Sequence, residues 1–192
     1  MTIELEKFHT PDGGWTTDDL DGLPDDNRRR ELLDGVLIMP PPPRTTHQQV
    51  TARLMAALDD MSPDGHAAVP GVEVRVSDSR TFVPDGVVLR VTGDDDGHRH
   101  WFAPSEVVLA VEVVDKGTET IDRVLKPALY AQAGIPYYWR IETQGGALEV
   151  VTYRIDAVNE VYSETGRWTK FVDTGEPFPI NLPISRITPR VR

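Results

Sequence analysis

Cysteine is absent from the 192 residues. That excludes disulfides, thiolate metal sites and cysteine nucleophiles together, and it fits a reducing compartment. Histidine is scarce, at five, and no His-Glu-x-x-His pair occurs; a Gly-x-Ser-x-Gly elbow and a Gly-rich phosphate loop are missing as well. Zincin, α/β-hydrolase and P-loop chemistries therefore have no carrier here. No apolar run approaches the roughly 20 residues of a membrane span, so no membrane role is expected. The start, Met1 to Lys7, carries acidic residues where a signal peptide needs a basic, then apolar, segment. A cytoplasmic protein is the expectation. Positive charge is also in deficit: the formal net charge is -11, which excludes a protein that coats nucleic acid through a basic face. It does not exclude a nuclease, because a site for divalent cations needs carboxylates and the cation inverts the local field.

The length suits one domain over residues 1–192, with 1–17 and 186–192 peripheral. A short helix is expected near residues 17–23, stopped by Pro24. Asp34-Gly35 between the apolar runs 31–33 and 36–39 reads as a hairpin turn, and Pro40 to Pro43 end its second strand. Thr46 is the expected N-cap of a helix over 47–61, with Val50, Leu54, Leu58 and Met61 as its buried stripe. Val72, Val74 and Val76 alternate with polar residues as a half-buried strand. A further strand is expected from Phe82 through Pro84-Asp85 to Leu89, then a loop over 93–97. Residues 107–114 are strand-like and apolar except for Glu112. A second helix over 121–133 ends at Gly134, and strands follow over 137–141 and 148–154. Trp168, Phe171 and Phe178 are expected to close the core. The sum is an α/β fold, a mixed sheet covered by helices.

Three residues in this frame can carry chemistry. Glu112 interrupts an apolar strand: if the strand is central, a carboxylate there needs a cation, a base or a raised pKa; if it is an edge, Glu112 faces water. Asp85 begins another apolar strand, either as turn chemistry within Pro-Asp-Gly or as a carboxylate at the sheet rim. Strands lie about 5 Å apart, so adjacent placement would let both acids share one hard cation. Lys126 stands four residues from Asp122 and from Tyr130, as a surface ion pair or as an amine returned towards Glu112.

The ordered pieces Glu31-Leu32-Leu33-Asp34-Gly35, Pro84-Asp85, Val111-Glu112-Val113, Asp122 through Lys126 to Tyr130, and Gly134-Ile135-Pro136-Tyr137-Tyr138-Trp139 resemble the Uma2 endonuclease family of the PD-(D/E)XK restriction-endonuclease-like superfamily. The resemblance runs from about residue 18 to the Pro177-Phe178-Pro179 tail. It implies a restriction-endonuclease-like mixed β-sheet flanked by α-helices, with an N-terminal β-hairpin extension. It also implies DNA phosphodiester hydrolysis with Mg²⁺ or Mn²⁺, and a homodimer. Asp85 and Glu112 match the motif acids and would hold the metal with the Val113 carbonyl. Val114 stands where the superfamily lysine usually sits, so Lys126 takes that role. Lys116, in an Asp115-Lys116-Gly117-Thr118 loop that departs from the family pattern, is the rival amine, and Pro127 beside Lys126 implies a kink or a helix start. Glu31 matches an additional catalytic glutamate. His47 matches a histidine of the first helix, where it caps the helix or, with Arg44, contacts phosphate. The alternative is a catalytically silent nucleic-acid-binding or interaction domain on the same fold.

Overall fold

The computed structural model describes residues 10–24, 26, 28–91, 97–114, 121–144 and 147–189. In chain order the elements are α1 (Thr17–Asp21), β1 (Glu31–Leu33), β2 (Val36–Ile38), α2 (Thr45–Met61), β3 (His66–Pro70), β4 (Glu73–Ser77), β5 (Arg80–Phe82), β6 (Gly86–Arg90), β7 (Trp101–Phe102), β8 (Val107–Val113), α3 (Lys126–Gln132), β9 (Tyr137–Gln144), β10 (Ala147–Asp156), β11 (Val161–Trp168), β12 (Phe171–Thr174), β13 (Ile180–Pro183) and α4 (Ile184–Ile187). A single π-helical turn, Ile121–Leu125, leads into α3.

The central sheet has the strand order β11-β10-β9-β8-β6-β3. It is mixed: β8 and β9 run parallel, as the intervening helical segment allows, and the other neighbours are antiparallel. A second sheet has the order β2-β1-β5-β4-β7, so the expected hairpin is the edge of a five-stranded sheet. Asp34 (φ 51°) and Gly35 (φ 79°) both take the left-handed conformation at its turn, as the Asp-Gly pair predicts.

Strand alternation divides the core between the two faces of the central sheet. Leu109, Val111 and Val113 of β8 meet Val50, Leu54, Met55 and Leu58 of α2, with Leu182, Ile184 and Ile187. On the other face Ala110 joins Leu129 and Tyr130 of α3, Val87, Tyr138 and Phe82. All seven residues of β8 are buried, between β6 and β9, so the strand is central and its one carboxylate lies inside the protein.

Several expectations need correction. The N-cap of α2 is Arg44, without a side-chain cap, because the helix begins one residue before Thr46. The expected strand through Pro84 is two strands in different sheets: the chain leaves one after Phe82 and enters the other at Gly86. The helix expected over 121–133 is α-helical only from Lys126, the helix start that Pro127 allowed for, and Pro127 occupies the first turn, where a missing N–H costs nothing. Trp15 and Ile187, inside the stretches expected to be peripheral, are core residues, whereas Phe171 is half exposed. The loop over 93–97 lies, apart from Gly97, outside the described residues.

Candidate active site

Asp85 occupies the crossing from the five-stranded to the six-stranded sheet. Gly86 pairs with Val111, which sets Asp85 beside Glu112 on the neighbouring strand. Burial is nearly complete for Asp85 (7 % exposed), Glu112 (1 %), Lys126 (6 %) and Glu31 (5 %). Four charged groups in one buried place persist only if they compensate one another.

They do. Lys126 Nζ stands 3.0 Å from Glu112 Oε1 and 3.3 Å from Glu31 Oε1. The Tyr130 hydroxyl, one helical turn beyond Lys126, donates to Glu112 Oε1 at 2.5 Å. Glu31 also accepts from the Val83 N–H at 3.0 Å, which ties the first strand of the hairpin to the crossing segment. Asp85 Oδ2 accepts from the Val113 N–H at 2.8 Å and lies 3.0 Å from His47 Nε2. Arg29 reaches in from the segment before β1. Its Nη1 donates to Asp85 Oδ1 at 2.8 Å, and its Nη2 donates to Glu31 Oε1 at 3.1 Å and to the Val83 carbonyl.

The two motif acids are driven apart in acidity. Burial pushes the Asp85 carboxyl up, but the His47 hydrogen bond and the Arg29, His47 and Lys126 charges outweigh it and hold the group well below its ordinary value. Burial dominates at Glu112 and raises it to about 8; Lys126 and Arg29 pull downwards while the Asp85 charge pushes further up. This is the behaviour of adjacent buried carboxylates in which one tends to keep a proton. Burial lowers Lys126, yet Glu112 and Glu31 more than compensate, so its amine is held above the usual lysine value as an ammonium. Burial and Glu112 also keep Tyr130 a neutral phenol, suited to donate.

Glu31, Asp85, Glu112 and Lys126, read from separate parts of the sequence, therefore meet in one cluster. Val113 joins it through its N–H. His47 does not cap α2; its ring turns onto Asp85. Arg44 is the exposed N-cap residue of α2. Lys116 and the side chain of Asp122 lie outside the described residues. Two members were missed, Arg29 and Tyr130. The signal for Arg29 was its place two residues before Glu31, which puts both on one side of an extended chain. For Tyr130 it was the four-residue step from Lys126.

The donor chemistry suits the divalent metal that the resemblance implies: hard carboxylate oxygens of Asp85, on the crossing segment, and Glu112, on β8. Among the described residues no three histidine or carboxylate side chains are already arranged around one ion, and Arg29 stands at Asp85 Oδ1. Next to Asp85 a cleft of about 510 Å³ opens, lined in part by Arg28, Arg29, Arg30, His47 and Gln48.

No curated protein matches the chain in sequence. Among solved structures it is similar to the one described as "Crystal structure of a putative nuclease belonging to DUF820 from Anabaena variabilis ATCC 29413", at 17% identity and a TM-score of 0.67, covering 90% of this chain and 96% of that one. That likeness establishes the fold, a mixed sheet flanked by helices. The sequence model of the family described as "Uma2: Putative restriction endonuclease" matches residues 8–171, most of the length, and the chain belongs to the Uma2 family.

Proposed function

We propose that this protein is a divalent-metal-dependent endonuclease that hydrolyses phosphodiester bonds in DNA. The observation that carries the reading is the placing of Asp85, just before β6, against the Glu112-Val113 end of β8, with the Lys126 ammonium 3.0 Å from Glu112. Family membership supports it.

Asp85 and Glu112 would hold Mg²⁺ or Mn²⁺, with the Val113 carbonyl as a backbone ligand. Such a metal supplies an acidified water and neutralises charge on the scissile phosphate. Lys126, kept protonated by Glu112 and Glu31, donates from Nζ to the attacking water or to a phosphate oxygen as negative charge builds. Glu31 orients that amine, Tyr130 fixes the Glu112 carboxylate, and His47 fixes Asp85. Arg44 and the cleft arginines meet the phosphate backbone. The active unit is a single-domain, cytoplasmic protein acting as a homodimer, since cutting both strands of a duplex calls for two centres.

A second reading, a silent nucleic-acid-binding domain, draws on Val114 at the usual lysine position and on Arg29 filling Asp85. Plasmid nicking separates the two. Wild type should nick in Mg²⁺ or Mn²⁺ and stop in EDTA, while D85N and E112Q should lose roughly 10²–10³-fold or more in rate. Nicking that survives in D85N, or in EDTA, overturns the proposal.

A further inference from the structure

Both oxygens of Asp85 are used by the chain itself. Oδ2 takes the Val113 N–H and faces His47; Oδ1 takes Arg29 Nη1 at 2.8 Å. The two cations of the cluster are held very differently. Lys126 is buried on a helix between Glu31 and Glu112. Arg29 sits on an irregular segment, keeps 24% of its side chain exposed, and forms part of the cleft wall. Its Nε is buried without a hydrogen-bond partner, so only the forked end of the guanidinium is secured.

Charge balance adds a second constraint. The carboxylates of Glu31, Asp85 and Glu112 face the cations Arg29 and Lys126, which leaves one negative charge over when these five are ionised and His47 is neutral. A divalent cation added with Arg29 in place would turn this into one positive charge, with guanidinium and metal in mutual repulsion across one carboxylate oxygen. With Arg29 gone, the same site is neutral.

We propose that Arg29 is a displaceable counter-ion: it holds Asp85 Oδ1 in the metal-free protein, yields that oxygen to a divalent cation, and turns its guanidinium into the cleft to pair with a phosphate of the nucleic acid. The inference rests on the nuclease reading. The guanidinium fork that fits a carboxylate fits a phosphate equally well. Arg28 and Arg30, both paired with Asp26, line the same cleft, into which the exposed part of the Arg29 side chain already opens. Arg29 thereby couples loading of the metal to capture of the substrate.

The test is calorimetric titration of Mn²⁺ into metal-stripped wild type, R29Q, R29K and D85N, with melting curves in EDTA. R29Q should melt below wild type in EDTA, because Asp85 and Glu31 lose their counter-ion. It should nevertheless bind Mn²⁺ about tenfold more tightly, because no group must first be displaced. R29K, whose ammonium cannot fork, should fall between the two, and it carries the comparison if R29Q does not fold. In saturating Mn²⁺, R29Q should bind an uncleavable phosphorothioate duplex roughly five- to tenfold more weakly than wild type. Equal or weaker Mn²⁺ affinity in the Arg29 variants, with binding lost in D85N, overturns the displacement and leaves the metal centre standing. Unchanged duplex affinity overturns the pairing with phosphate. Mn²⁺ binding in D85N as tight as in wild type overturns the metal centre, and the displacement with it.

Discussion

Lys126 contacts carboxylates from two different sheets, Glu31 of β1 and Glu112 of β8. Removing it leaves buried Glu112 without its nearest cation and Glu31 with Arg29 alone, a kind of loss that costs about 3–5 kcal/mol. K126M should therefore unfold at markedly lower denaturant, and its nicking rate should fall together with its stability. Stability and chemistry separate in the double variant. In K126M/E112Q the amide needs no counter-ion, so much of the lost stability should return while nicking stays absent. Chemical denaturation of the two variants side by side checks this; a double variant no more stable than K126M would show that Lys126 acts mainly through packing. The cluster also explains why Glu112 stands in a strand of otherwise apolar residues. Its cost is met by Lys126 and Tyr130 of α3 and by the nearby charge of Arg29, none of them its neighbour in sequence.

At the scale of elements, the aim of the site depends on how the chain passes from β5 to β6. Val83, Pro84 and Asp85 cross between the sheets, and Gly86 then begins β6 tight against α2: a Cβ at that glycine would lie 2.3 Å from Met55 Sδ. Met55 is buried in the core, so its thioether has little room to retreat. G86A should overpack this contact and lower stability by about 1–3 kcal/mol. Combined with M55A, the added methyl should be absorbed, so the double variant should lose less than the two single losses together. Strict additivity in thermal or chemical unfolding would show that β6 and α2 do not press on one another here. The hairpin, α2, β8 and the C-terminal end of α3 were legible because each announces itself locally, through Asp-Gly, a helical apolar stripe, a continuous apolar run, and Gly134 at φ 79°. The break at Pro84 and the π-helical turn before Lys126 were not, since apolar periodicity is unchanged by a strand that switches sheets or by a turn that takes up one extra residue.

The whole molecule carries a net charge of -11, and the three arginines of the cleft are themselves paired with Asp26, Glu31 and Asp85. Long-range repulsion should keep duplex DNA away until a divalent cation is in place. Fluorescence anisotropy with an uncleavable duplex at physiological salt should give a dissociation constant in EDTA no tighter than about 10⁻⁴ M, tightening at least tenfold in Mn²⁺. Tight binding in EDTA would mean that the protein meets DNA through some other surface. The absence of cysteine, the acidic balance, the α/β pattern and the standing out of Asp85, Glu112 and Lys126 came from the order of residues, because propensity, turn chemistry and alternation act over a few positions; Glu31 came only through the family resemblance. Which acids become neighbours, that His47 turns onto Asp85 instead of capping its helix, and that Arg29 completes the cluster were decided only when two sheets met along the crossing at Asp85. Those contacts join positions 29, 31, 47, 85, 112, 126 and 130. Burial makes them obligatory, since each charge left without a partner there would cost more than most single contacts supply.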